Sequence, residues 1–327
     1  SVTSHLAWQP TADGLLTMTG QSNVEGYKAS TMMPDGSKLA VDIARMHGSL
    51  TAKSVAMADI GTMIHTVALL VASVRDAKAA DHTGDKTDAP KPPGVPEADR
   101  ANAKALVQAL AGLMGSFSND ATYEDIKVDI GGQTGSLRKL AIGFDMAAPK
   151  GRADLAWRIA LDGLESPLIP EGVYRDYLPR HLSLTPHIGG IPKQELVDVV
   201  LHAIDDPDAV DNMMSVMMEL LAKGPLRLGV EDIALDLGPA KLSGGGGVNV
   251  VSMADISGGG EFRATGLDEL IQRSNTTPEL KQAAPALIFL KGIGRQDGKT
   301  TAWKIRYAGN KLFINDTDMS AMMPGGK

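Results

Sequence analysis

The most restrictive feature of this sequence is a two-residue alternation of apolar and polar side chains that recurs along most of its length. Ile126, Val128 and Ile130 alternate with Lys127 and Asp129. Leu140, Ile142, Phe144 and Met146 follow with the same period, as do Leu155, Trp157, Ile159 and Leu161. Ile233, Leu235 and Leu237 repeat it, and so do Trp303, Ile305 and Tyr307. A period of two buries one face of a strand and leaves the other in water. Parallel strands are covered on both faces and read as unbroken apolar runs, so the alternation predicts antiparallel sheet. Turn chemistry agrees. Gly309-Asn310 between Trp303–Tyr307 and Leu312–Ile314 predicts a two-residue hairpin. Gly131-Gly132 and Gly244 to Gly247 punctuate other strand pairs, and hairpin turns or bulges account for the latter run and for Gly258 to Gly260.

A second period, that of the helix, is interleaved with the first. Leu106, Leu110, Leu113, Met114 and Phe117 fall on one helical face. Leu196, Val197, Val200, Leu201 and Ile204 form another stripe. Met213, Met214, Met217, Met218, Leu220 and Leu221 form a third, closed by Lys223 and Gly224. Thr277 and Pro278 predict the start of a helix through Leu290, kinked at Pro285. The expected fold is α+β: a large twisted antiparallel sheet with amphipathic helices packed on one, concave, face. Residues 1–78 read as N-terminal strands and a helix. Residues 79–97 read as a polar, Pro-rich loop, and 98–327 as helix and hairpin units continuing the same sheet; at this length one large elongated domain or two smaller ones are the expected options. A second loop is expected around Ser166 to Pro179.

Composition narrows the chemistry. The net charge is −7, and no basic run is present, which argues against a nucleic-acid groove. The chain has no cysteine, which excludes disulfides, thiolate metal sites and Cys nucleophiles. The longest apolar run, Ile60 to Val74, contains His65 and is too short for a membrane span, so a buried helix is expected there. The chain begins with Ser1, which suggests a removed targeting segment or a truncation.

Motifs that tempt a catalytic reading are incomplete. Gly298-Lys299-Thr300 mimics the end of a phosphate-binding loop, but Ile293 stands where a glycine is needed and a strand rather than a helix follows. A polar turn is expected there. Gly20-Gln21-Ser22-Asn23 resembles the nucleophile block of the sialate-acetylesterase branch of the SGNH hydrolases, and Gly115 to Asp120 resembles that superfamily's oxyanion block with one extra residue. The superfamily also implies Asp-x-x-His near the C-terminus, whereas the last histidine here is His202. His181 and His187 lie in a Pro-flanked stretch read as a loop, without metal-ligand spacing. Asp205, Asp206, Asp208 and Asp211 form an acidic loop without EF-hand spacing. No catalytic residue, metal or cofactor is assigned.

Sixteen methionines stand against 4% aromatic residues, and four of them cluster in one helix. Methionine is flexible and lines surfaces that accommodate varied apolar partners. The residues expected to wall an apolar ligand are Met213, Met214, Met217, Met218, Leu221, Leu287, Phe289 and Trp303; an ordinary core helix is the competing account of the methionines.

The C-terminal third carries a family resemblance. Phe262 to Ile271 (FRATGLDELI) is similar to an "ATGLD-L" segment, and Ala284 to Arg295 (APALIFLKGIGR) to an "LP-L–LKGLGR" helix. Trp303-Lys304-Ile305 and Leu312 to Asn315 resemble the closing hairpin. There Gly-Val-Asp commonly follows the Asn, and Asp316-Thr317-Asp318 departs from that pattern. These segments resemble the Gram-negative envelope family designated domain of unknown function 2125. The resemblance implies a periplasmic protein and supplies no catalytic residue. Three functions are therefore expected to compete. The first is a non-catalytic periplasmic carrier of an apolar, lipid-type ligand, with other envelope transport proteins as partners. The second is a structural or partner-binding envelope protein. The third is an esterase using Ser22.

Overall fold

The computed structural model describes residues 1–33, 35–55, 97–112, 115–148, 151–166, 175, 177–205, 213–252 and 254–320. Among these described residues fourteen strands form one sheet. They are β1 (Val2–Pro10), β2 (Leu16–Met32), β3 (Lys38–Val55), β4 (Ser116–Ile130), β5 (Gln133–Ala147), β6 (Arg152–Glu165) and β7 (His181–Pro192). There follow β8 (Leu226–Asp236), β9 (Lys241–Ser252), β10 (Asp255–Thr265), β11 (Arg295–Asp297), β12 (Thr300–Ala308), β13 (Lys311–Ile314) and β14 (Thr317–Asp318). Each strand pairs antiparallel with its sequence neighbour, except that β10 pairs with β12 and β11 adds to the other side of β12. The antiparallel sheet thus matches the alternation. β3 and β4 pair along almost their whole lengths across the intervening segment, so the N-terminal strands and the rest belong to one sheet.

The registers assemble the alternating residues into one continuous apolar face. Phe144 sits between Asn119 and Trp157, Ile142 between Ala121 and Ile159, and Leu140 between Tyr123 and Leu161. Phe144 contacts Phe117 and Trp157 with ring centroids 6.2 and 5.6 Å apart. The reverse face carries cross-strand ion pairs, among them Arg45–Glu124 at 2.7 Å, Arg158–Asp120 at 2.7 Å and Arg227–Asp154 at 2.9 Å. Opposite charges on facing strands favour this register over a one-residue slip, which would turn every side chain to the wrong face.

The apolar parity changes once in each of β2 to β6. Val24 gives way to Tyr27, Met46 to Ile43, Tyr123 to Ile126, Leu140 to Leu137 and Leu161 to Leu164. The change falls on a row that contains Gly26, Asp125 and Gly163, all with positive φ. A left-handed residue departs from the extended conformation on which strict alternation depends. The hairpins Gly131-Gly132 and Gly309-Asn310 have positive φ at both central residues, the backbone of a type I′ turn.

Among the described residues five helices of ten residues or more join the strands: α1 (Glu97–Gly112), α2 (Lys193–Asp205), α3 (Met213–Ala222), α4 (Leu267–Thr276) and α5 (Ala284–Ile293). α1 packs against α2, and Lys104 reaches Asp205 across them. Leu220 and Leu221 of α3 pack with Ala153, Ile191, Leu226 and Val250 into a buried core in which Ala153 is 0% and Leu226 1% exposed.

Several sequence expectations are corrected. Phe117 belongs to β4 and not to the preceding helix, which ends at Gly112; its neighbours Ser116 and Ser118 restart the two-residue period. Pro285 does not kink a helix begun at Pro278. A 3-10 turn covers Pro278–Leu280, and Pro285 lies in the first turn of α5, where no backbone N–H is needed. Gly244 to Gly247 and Gly258 to Gly260 form no turns. They pair with one another inside β9 and β10, where a methyl on Gly246 would stand 2.7 Å from the Gly259 carbonyl oxygen. His181 and His187 lie in β7 rather than in a loop. The helix expected at Ile60 to Val74, the 79–97 loop before Glu97, most of the Ser166–Pro179 loop and the acidic stretch after Asp205 lie outside the described residues. No helix among the described residues is long and apolar enough to cross a membrane.

Candidate functional site

The site is assembled at the C-terminal end of the sheet. β10 ends at Thr265, and Gly266 turns the chain into α4 with a φ of 78°. Only glycine fits, because a side chain there would run into the carbonyl oxygen of Pro239. Leu267 and Leu270 of α4 then face the sheet. α5 follows, and its last turn is fixed to the strands by side chains. Trp303 Nε1 donates to the Leu290 carbonyl at 2.8 Å, Gln296 Nε2 to Lys291 at 3.2 Å and Asn315 Nδ2 to Ile293 at 2.9 Å. These are carbonyls that a helix end leaves without internal partners. The first turn of α5 has no such side-chain cap.

Asn315 ties more than the helix. Its Nδ2 also donates to the Ala302 carbonyl at 3.1 Å, and its Oδ1 accepts from the Lys304 N–H at 2.8 Å. It adopts a φ of 48°, a left-handed conformation that asparagine tolerates better than most residues. Gly266, Trp303 and Asn315 therefore hold α4 and α5 to the sheet.

Between these helices and the strands lies an apolar cavity of about 440 Å³. Its floor is formed by Leu242, Phe262, Ala264, Trp303, Ile305 and Ile314. Leu267, Leu270, Leu287, Leu290 and Ile293 form the opposite wall. Leu235, Leu237 and Ala240 close one side, and Lys241 is the one charged residue on the lining. Lys241 is held by Asp236 at 2.9 Å. That pairing, together with the Gly238 N–H, holds the Asp236 carboxyl below the usual carboxylate range. Gly244 shares the register row of Phe262, and Gly246 and Gly260 that of Ile305, so a bare strip separates this cavity from the buried core beneath α3.

Of the expected lining residues, the structure brings Leu287 and Trp303 to this cavity. Phe289 points away and is 44% exposed. Leu221 is 8% exposed within the packed core under α3, and Met218 is 51% exposed on the outer side of that helix. The side chains of Met213, Met214 and Met217 lie outside the described residues. Phe262, Leu267, Leu270 and Ile314 were missed by the sequence reading. Their signal was the Phe262–Ala264 alternation and the Leu267–Leu270 helical spacing, which come together only through the β10–β12 register.

A second recess, on β3 to β8, mixes apolar side chains with the charged Lys53, Asp145, Asp154, Arg227 and Glu231. His187 Nδ1 is sealed from water with no hydrogen-bond partner and stands 3.8 Å from Glu231. Among the described residues no group of three His, Asp or Glu side chains is arranged to hold a metal ion. Ser22 lies in the interior of β2, opposite Ser4 and Gly48. Among the described residues no hydrogen bond joins it to a histidine; the nearby His47 pairs with Asn23 at 2.7 Å. Gly115 to Asp120 lead into β4, where Asp120 is engaged by Arg158. Gly298-Lys299 forms the turn between β11 and β12. No family model, curated protein or solved structure matches this chain.

Proposed function

We propose that the chain is a non-catalytic carrier of an apolar, acyl-type ligand in the periplasm. The observation that carries the reading is the open cavity of about 440 Å³ under α4 and α5, lined by hydrocarbon side chains and Lys241. Its size falls within the ~300–1,000 Å³ of small-molecule sites, which are mostly apolar. A filled core would serve a purely structural role better, since unfilled volume forfeits dispersion contacts. In this reading the apolar face of the sheet is its concave one and the helices roof it. The roof helix α5 is fastened at one end only, so parting it from the floor disrupts few polar contacts. Elsewhere on the same face Ile142 is 45% exposed, which extends the apolar surface beyond the cavity. The envelope resemblance of the C-terminal third supports the compartment and suggests envelope transport proteins as partners.

Organic extraction of the purified protein followed by mass spectrometry tests the reading. Native protein is expected to release acyl lipid in near-stoichiometric amount. Leu287→Trp, which fills the cavity, should release far less while keeping the same circular dichroism. Absence of lipid, together with no binding of added dodecanol, overturns the proposal.

A further inference from the structure

A polar recess of about 770 Å³ adjoins the apolar cavity. The two share walls. Leu267 and Leu270 of α4 line the cavity, whereas Glu269 and Arg273 of the same helix line the recess. The turn after β8 divides likewise: Leu237 and Ala240 belong to the cavity, Gly238 and Pro239 to the recess. Arg175, Arg180, Leu164, Leu178 and Glu165 complete the recess.

The charges facing this junction are Arg175, Arg180, Arg273 and Lys241 against Glu165, Glu269 and Asp236. Among the described residues four cations face three anions here, although the chain as a whole has a net charge of −7. The carboxylates are also engaged. Glu269 is bound by Arg273 at 2.6 Å, Glu165 accepts from Ser136 at 3.3 Å, and Asp236 accepts from the Gly238 N–H at 2.8 Å besides its ion pair with Lys241. Arg180 forms no salt bridge among the described residues. Its guanidinium lies against Gly238, where a methyl would come within 3.0 Å of it. A planar guanidinium beside an apolar cavity matches a carboxylate or phosphate that carries a hydrocarbon tail.

We propose that recess and cavity are two halves of one site and that its ligand is an anionic amphiphile, with its phosphate or carboxylate at Arg180 and its hydrocarbon chain under α4 and α5. This inference rests on the apolar-ligand reading above. It accounts for the one helix that presents leucines to one cavity and a charged pair to the next.

The test compares dodecyl phosphate, dodecanoate and dodecanol, which share a tail and differ in the head, by titration calorimetry on the full chain. Both anions are expected to bind about tenfold or more tighter than dodecanol, the gain of one charge-assisted hydrogen bond or better. The tighter of the two anions distinguishes a phosphate-headed lipid from a fatty acid. Arg180→Gln should abolish the preference and leave dodecanol affinity unchanged, and Arg180→Lys, which keeps the charge without the fork, should restore part of it. Equal binding of all three probes to the native protein overturns the head-group assignment and leaves the tail cavity standing. An equal loss for all three in Arg180→Gln assigns the arginine a structural role and also overturns it. Failure of every probe to bind overturns both readings.

Discussion

Replacing Asn315 by alanine tests how the roof of the cavity is attached. The substitution removes three hydrogen bonds: to the Ile293 carbonyl at 2.9 Å, to the Ala302 carbonyl at 3.1 Å and from the Lys304 N–H at 2.8 Å. Each contributes about 0.5–1.5 kcal/mol net, so their loss amounts to roughly 3 kcal/mol. Alanine must also hold the φ of 48°, which costs an L-residue without a local hydrogen bond about 1 kcal/mol more. The last turn of α5 loses one of its three side-chain anchors. Amide hydrogen exchange across Ala284–Ile293 reports the local opening free energy directly. Only the Ile293 bond ties α5, so about 1 kcal/mol of that loss falls on the helix and should accelerate exchange there about fivefold. β4 to β6, which lie far along the sheet, should exchange as before. Asn315→Gly removes the same bonds but relaxes the backbone, so it should exchange more slowly than Asn315→Ala. Exchange of α5 within threefold of the native rate in Asn315→Ala would refute the anchoring argument. A glycine variant no slower than the alanine variant would refute the left-handed contribution.

Two further outcomes follow from the packing and the charges. Leu226→Ala, at a position 1% exposed, should cost about 2–5 kcal/mol in thermal or urea unfolding. Ile142→Ser, at a position 45% exposed, should cost well under that. Asp13, Asp35, Asp236 and Asp318 are held below the ordinary carboxylate range, by the Thr11 and Ser37 hydroxyls, by Lys241 and by the Ser320 hydroxyl respectively. Their folded-state values are depressed, so their contribution is present above the unfolded value of about 4 and is lost as pH falls through the folded values. The melting temperature should therefore be flat from neutral pH to about 5 and decline below about 4; a melting temperature that rises on acidification contradicts the assignment.

The alternation of Leu140–Met146, Leu155–Leu161 and Trp303–Tyr307 was sufficient to read strands, their antiparallel pairing and two hairpin turns directly from the chain. Each of these rests on interactions between residues close in sequence: the two-residue period of an extended backbone and the positive φ that Gly131-Gly132 and Gly309-Asn310 accept. The helical stripes of α2 and α3 were legible for the same reason. The same local signals misled at Phe117, which fits a helical stripe and a strand equally well, and at Gly244 to Gly247, where glycine admits a turn but is required by the facing backbone. The single continuous sheet, and the parity row at Gly26, Asp125 and Gly163, were decided by pairing between strands.

The candidate site was legible only in part. Leu287 and Trp303 signalled themselves as apolar residues on periodic segments, whereas Met218 and Leu221 carry an equally apolar signature and lie elsewhere, one exposed and one in a buried core. Whether an apolar side chain meets a partner or an open space depends on what the sheet register brings opposite it. The pairing of Phe262 with Trp303 and of Ala264 with Thr301 sets α4 and α5 over the floor, and the arginine recess beside them joins residues more than ninety positions apart. Sequence by itself determined the amphipathic pieces, because periodicity is a property of the local backbone; the cavity and its charged neighbour belong to tertiary structure, because they are spaces left between pieces that the chain places far apart.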